Sequence, residues 1–320
     1  MRIRSVAGAA IGATTAVAVG AMTAQHRRYL ALRRNAAQDR QDLLPAKGSF
    51  HALFLLRAPE GDDVIELTDA FFRATGDLGE VAWIYAGKVV GVGRSSNQID
   101  DEWDVAVLMQ FSSEAYFRLI TDSIVFRRAL QPFAQVHVQG FERPRLLNAA
   151  LPQVLLARRL RSRARREEPA LPLTPDEHEP TPERTKLAEQ LLAERELGAD
   201  AVVVVNLIKH GDDAQREADG RYTDRMLGAM AEGGYGPLHL GPTVGAGTTR
   251  DNDAATDFDR VALVYYPGVE FFADLLRSSF LSAIIGDKQL ADSSASITVP
   301  ILDRLPSTNR ATASSGERRA

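Results

Sequence analysis

The sequence predicts an α+β protein made of two tandem copies of one β-α-β-β-α-β unit of roughly 100 residues, behind an apolar N-terminal helix. Three observations predict it. The chain repeats itself, each copy alternates strand-like with helix-like spacing, and each copy has one apolar sheet face that its own two helices leave uncovered.

The repeat is clearest where residues 103–130 lie over 258–285 without a gap. Trp103 meets Phe258, Asp104 meets Asp259, Leu108 meets Leu263, Phe111 meets Tyr266, Tyr116 meets Phe271 and Phe117 meets Phe272. Upstream, Gly79, Gly87, Gly91 and Gly93 fall on Gly233, Gly241, Gly245 and Gly247. Earlier still, Gly61-Asp62-Asp63 matches Gly211-Asp212-Asp213.

In the first copy, Phe50–Arg57 is a short apolar run bounded by Pro59 and Gly61, which predicts a strand. Val64, Leu67, Ala70, Phe71 and Ala74 have helical spacing. Val81–Tyr85 and Val89–Val92 read as extended pieces about a turn at Gly87. Val105, Val107, Met109 and Phe111 alternate through Trp103–Phe111, another strand. Ser112 or Ser113 caps the next helix, whose apolar side carries Tyr116, Phe117, Leu119 and Ile120. Gln135–Phe141 is the last strand.

The second copy repeats the order. Ala201–Ile208 is a strand, Asp213–Glu232 mainly a helix, and Pro237–Leu240 and Thr243–Ala246 are extended. Phe258–Tyr266 is a strand, Pro267 opens a helix at the position where its missing N–H costs least, and Ser296–Leu302 closes the copy. This is the ferredoxin-like order. Its open sheet face must be covered, and two such sheets facing each other as a pseudo-dimeric α+β barrel solve the problem within one chain. The linker favours that closure by raising the effective concentration of the second copy, so a monomer is expected over a homodimer.

GEVAWIYAGKVVGVG, the strand WDVAVLMQF and the helix SSEAYFRLITDSIVFRRAL resemble the domain-of-unknown-function 1330 family, as does FDRVALVYYPGVEFFADLLRSSFLSAI in the second copy. The resemblance covers about residues 48–147 and 200–303 and implies the dimeric α+β barrel superfamily. It implies no activity. Where the family has a Pro-Glu-Tyr-like turn, this chain has Asp122-Ser123-Ile124-Val125-Phe126 and Arg277-Ser278-Ser279-Phe280, so a pocket shaped by that turn does not carry over.

The expected divisions are an N-terminal segment 1–44, a first domain 45–150, a charged linker 151–197, a second domain 198–304 and a disordered tail 305–320. Val6–Ala24 is a 19-residue run without a charge. At about 1.5 Å per residue it just spans a hydrocarbon core of about 30 Å. A single-pass anchor is the first reading. A cleaved signal peptide with Ala21-Met22-Thr23 as its site, an Arg-rich transit peptide and a merely frayed, Ala-rich N-terminal helix are the others. Arg2 and Arg4 against Arg27, Arg28, Arg33 and Arg34 lean the rest of the chain towards the cytoplasm.

The linker packs six arginines into nine residues, Arg158 to Arg166, followed by an acidic, proline-rich stretch and a helix-like Arg184–Leu197 with Leu187, Leu191 and Leu192 on one side. The arginines read either as a contact for anionic lipid or as a solvated face paired with the acidic stretch. Ser307–Ala320 is polar and reads as disordered.

Composition excludes several functions. The chain has no cysteine, so thiolate nucleophiles, disulfides and Cys-based zinc sites are out. A net charge of -4 argues against nucleic acid as a partner. His26, His51, His137, His178, His210 and His239 form no metal-binding spacing, and neither a metal nor another cofactor is expected. Gly91-Val92-Gly93 and Gly245-Ala246-Gly247 read as turns, because no helix follows them directly to present its N-terminus to a phosphate. Asp104 and Asp259 read as strand-start carboxylates. No nucleophile elbow appears.

Four residues remain as ligand-binding candidates. His51 and His137 lie on neighbouring strands of the first copy and are expected on one sheet face. Trp83 and Tyr85 alternate with Val81 and are expected to line the barrel interior, with core packing as the plainer account. The functional expectation is a membrane-associated barrel that binds a small apolar molecule or a protein partner. The alternatives are a cofactor-independent oxygenase or isomerase acting on a hydrophobic substrate, and a scaffold. The enzyme alternative requires His51, His137 or Tyr85 to face the interior.

Overall fold

The computed structural model describes residues 50–76, 78–93, 103–142, 157, 181–198, 201–209, 211–233, 236–244, 248–249, 258–291 and 293–307. Val6–Ala24 and Arg158–Arg166 lie outside them. Among the described residues no helix is long and apolar enough to cross a membrane.

The first copy runs β1 (Phe50–Arg57), α1 (Val64–Thr75), β2 (Ala82–Gly93), β3 (Val105–Phe111), α2 (Glu114–Thr121), α3 (Ile124–Leu130) and β4 (Gln135–Glu142). Between the copies come α4 (Pro182–Ala193) and α5 (Arg195–Gly198). The second copy runs β5 (Val202–Ile208), α6 (Asp213–Gly233), β6 (Gly236–Pro242), β7 (Thr248–Thr249), β8 (Arg260–Tyr266), α7 (Val269–Arg277), α8 (Ser279–Leu290) and β9 (Ser294–Pro300).

Local chemistry sets the boundaries. The Asp63 carboxylate accepts from Ile65 N at 2.7 Å and opens α1. Ser113 Oγ accepts from Tyr116 N at 3.1 Å and opens α2. Ser123 caps α3 and its repeat-equivalent Ser278 caps α8, so the second helix of each copy breaks in two at the same place. Leu119, expected on the buried side of α2, is 67% exposed, because the apolar stripe of that short helix runs through Tyr116, Phe117 and Ile120.

All strands among the described residues join one antiparallel sheet in the order β6-β8-β5-β9-β2-β3-β1-β4-β7. Within it, β4-β1-β3-β2 and β9-β5-β8-β6 are each the ferredoxin-like order. The two sheets therefore meet edge to edge and curl into a nearly closed barrel, rather than stacking as separate layers. One seam pairs Gly87 with Pro300 through Gly93 with Ala295. The other brings β4 to β6 and β7, with a bridge from Phe141 to Thr243 and Val244 N donating to Gly140 O at 2.9 Å. Closure removes exposed strand edges, which template aggregation.

Glycine makes the second seam possible. A Cβ on Gly241 would run into the backbone oxygen of Glu142, which cannot swing away as a side-chain end can. Gly241→Ala is therefore expected to part β4 from β6 and to cost about 1–3 kcal/mol by overpacking. Urea melts of the variant and the wild-type chain test this, and an unchanged midpoint would refute it.

The helix expected over Arg184–Leu197 is present as α4 and α5, and the free linker shortens accordingly: Ala188 and Leu191 of α4 are buried because α4 packs on α7. Leu187 reaches Gly91 of β2, and Lys88 pairs with Glu194 at 2.6 Å. The segment is thus a strap across the β2–β9 seam. The tail boundary shifts as well. Ile301 and Leu305 are fully buried in the outer core of the first copy, and Ser307 donates through its N–H and its hydroxyl to Asp69, each at 2.9 Å.

Candidate functional site

A strand bulge sorts the four candidates. Cross-strand register in β2 skips between Trp83 and Tyr85: Trp83 stands opposite Met109, and Tyr85 opposite Leu108. The extra residue flips the alternation, so Trp83 and Tyr85 point to opposite faces. The expectation that both line the interior is corrected. Trp83 lies under α1, packed on Phe71 and Phe72, with Nε1 donating to Thr75 Oγ1 at 3.0 Å. Tyr85 points inward. The second copy has the same irregularity between Pro237 and His239, the repeat-equivalent positions.

His51, Tyr85 and His137 all belong to the interior face. On β1 that face carries His51, Leu53 and Leu55, and on β4 it carries His137, Gln139 and Phe141. The two histidines share the face as expected, but they do not meet. His51 stands opposite Phe141, and His137 opposite Leu55. Four residues of strand separate the two levels, about 13 Å. His51 stacks on Phe141 with ring centroids 5.6 Å apart.

Tyr85 and Thr298 lock the β2–β9 side. Their hydroxyl oxygens are 2.6 Å apart, and Thr298 Oγ1 also lies 2.7 Å from Val203 O. A hydroxyl has one proton, and Thr298 gives its own to the carbonyl. Tyr85 therefore donates to Thr298.

At the other level His137 is fully buried between Trp103 and Phe258, with ring centroids 6.4 Å and 6.1 Å away. Trp103 and Phe258 are repeat-equivalent, placed just before β3 and β8 respectively, so the two halves present matched aromatics at one end of the barrel. Burial pulls the His137 imidazole down to about 4, and the ring is neutral at pH 7. Among the described residues neither His137 nitrogen, nor Trp103 Nε1, has a hydrogen-bond partner. Leaving a buried polar group unpaired costs about 1–3 kcal/mol, so the cluster is expensive as it stands.

The other sequence candidates have structural roles. The Asp104 carboxylate accepts from Ala58 N at 2.8 Å, a turn bond. Asp104 O and Asp259 O accept the equivalent N–H groups of Val89 and Thr243. Among the described residues no group of three His, Asp or Glu side chains comes together to hold a metal ion. Sequence reasoning missed Trp103 and Phe258 as site residues, although the repeat alignment had already paired them.

Strand order and the two seams define the class of this protein: a nearly closed α+β barrel built from two repeat-equivalent halves of one chain. No family model matches the chain, and no curated protein matches it. Among solved structures it is similar to a mutant chlorite dismutase from Candidatus Nitrospira defluvii, with 11% identity and a TM-score of 0.42 over 84% of this chain and 99% of that one. It is also similar to a dye-decolorizing protein from V. cholerae, with 12% identity and a TM-score of 0.41 over 83% and 96%. An anthrone oxidase-like protein gives 12% identity and a TM-score of 0.40 over 79% and 92%. Likenesses of this strength assign no residue role here.

Proposed function

We propose that the barrel interior takes up a small, largely apolar molecule carrying one hydroxyl or carbonyl group, and that His137 and Trp103 grip its polar end. The observation that carries this reading is the buried, unpaired polar set at one barrel end. A neutral imidazole offers one donor and one acceptor, and the indole offers a donor. Phe258, Leu55 and the surrounding aliphatic side chains suit an apolar body. The resemblance to the domain-of-unknown-function 1330 family is consistent with such a barrel and supplies no substrate.

The test uses Trp103 as its own reporter. In a Trp83→Phe background it is the sole tryptophan. Titration with para-ethylphenol is expected to give a saturable change in indole fluorescence. Ethylbenzene, which lacks the hydroxyl, is expected to bind about tenfold more weakly, the equivalent of one hydrogen bond at about 1.4 kcal/mol. His137→Phe should erase that preference. Equal binding of the two compounds, or no saturable change, would refute the reading.

A second reading is a cofactor-independent enzyme acting on the same class of molecule. The observation favouring it is that His51, Tyr85 and His137 all face the interior, which is the condition such chemistry sets. Conversion of a bound phenol or ketone, lost in His137→Phe, would favour this reading over binding alone.

A further inference from the structure

The two copies differ at matched positions of the layer between sheet and helices. In the first copy Phe54 of β1 packs on Phe71 and Phe126, and Phe71 packs on Phe133, with ring centroids 5.6–6.0 Å apart. Strand register identifies the matching positions in the second copy. Phe54 pairs with Val107, and Asn206 pairs with Ala262, the repeat-equivalent of Val107. By the same register Val136 of β4 corresponds to Ser293. An aromatic position in one copy is thus an asparagine in the other, and a valine position a serine.

That polar cluster surrounds an amine. Lys288 Nζ of α8 donates to Asn206 Oδ1 at 3.0 Å and to Ser293 Oγ, and it sits 5.3 Å from the centre of the Tyr222 ring on α6. Asn206 and Ser293 are both buried. Neutral acceptors and a ring face compensate an ammonium poorly for lost water. Burial holds Lys288 down to about 8, with Asp219 pulling the other way. Burial and Asp219 push Tyr222 up to about 12, so it keeps its proton and supplies no phenolate to pair with the amine. Asp287 is taken by Arg221, with Nη2 at 2.8 Å.

We propose that Lys288 is a reactive amine, and that the layer between α6, α8 and the second-copy sheet is a site for a small aldehyde or ketone that it captures as a Schiff base. The neutral amine's lone pair attacks the carbonyl carbon, forming the C–N bond. The carbonyl oxygen then departs as water, carrying the amine's two protons, and a C=N bond remains. No oxidant or reductant is consumed. The site lies on the opposite sheet face from His137 and does not depend on the function proposed for the interior.

The chain has five lysines: Lys47, Lys88, Lys186, Lys209 and Lys288. Lys186 and Lys209 are exposed, and Lys88 is paired with Glu194. The full-length chain is treated with limiting propanal and cyanoborohydride at about pH 7.5, where an amine titrating near 8 has roughly 200-fold more free base than an ordinary lysine. The hydride reduces the imine to a stable secondary amine, and peptide mass mapping locates it. Lys288 is expected to take the first label, at least tenfold ahead of the other four. Denaturant should abolish the preference, and Lys288→Gln should remove the fast label. The N-terminal amine titrates at about 8 in any chain and labels fast regardless, so only lysines are compared: labelling of Lys288 no faster than the exposed lysines, or a faster label on another lysine, would overturn the proposal.

Discussion

Acidification is expected to strip about 3 kcal/mol from the stability of this chain through His137 alone. The imidazole titrates at about 4 in the folded protein, against a reference value of 6.5. The sign follows from which state binds the proton. Above about pH 6.5 the ring is neutral folded or unfolded and has no effect. Between about 6.5 and 4 only the unfolded chain takes up the proton, so stability falls throughout that window. Below about 4 both states are protonated and the loss is complete. Carboxylates add their own acid dependence, so the measurement is a difference. Urea midpoints at about pH 7 and about pH 4 are compared for the wild-type chain and for His137→Phe. The variant puts an apolar ring between Trp103 and Phe258 and should lose less on acidification by about 3 kcal/mol. Equal losses would place the imidazole in water and remove it from the interior site.

Much of this architecture was legible because the signals were local or repeated. The alternation of Val105, Val107, Met109 and Phe111, the caps at Asp63 and Ser113, and the ungapped match of Trp103–Leu130 with Phe258–Ile285 each follow from a few neighbouring residues. What sequence did not show is long-range or depends on a single added residue. The bulge between Trp83 and Tyr85 separates two side chains that strict alternation puts together. Register, not strand adjacency, decides that His51 and His137 share a face without touching. Lys288 and Asn206 are 82 residues apart, and no motif joins them.

The two copies differ in where they place buried polar side chains. The interior face of β4 carries His137, Gln139 and Phe141 where β9 carries Ser294, Ser296 and Thr298. The outer layer differs in the opposite sense, with phenylalanines in the first copy and Asn206, Ser293 and Lys288 in the second. Buried polar groups cost stability unless they are paired: Asn206, Ser293 and Lys288 bond to one another, whereas His137 and Trp103 Nε1 have no partner among the described residues, so the uncompensated cost falls at the His137 end of the barrel.

Ending the chain after Pro300 is expected to unfold the outer layer of the first copy, although every residue removed follows the last strand of the second. Beyond β9 the chain crosses to the first half: Ile301 N donates to Ala86 O at 2.8 Å, and Ile301 and Leu305 are fully buried in the cluster of Phe71 and Trp83. Two aliphatic side chains at about 1.5–3 kcal/mol each amount to about 3–6 kcal/mol. That is a large fraction of the 5–15 kcal/mol, roughly, that holds a domain together. Removing them also opens the floor beneath Trp83 and strips Asp69 of its bonds to Ser307. The expected result is a lower urea midpoint with loss of near-UV signal from Trp83, while the second copy keeps its helices. A chain ended after Ser307 retains every contact just named and should match the full-length protein. If both truncations melt alike, the two halves are joined by their seams alone and the C-terminal crossing is incidental.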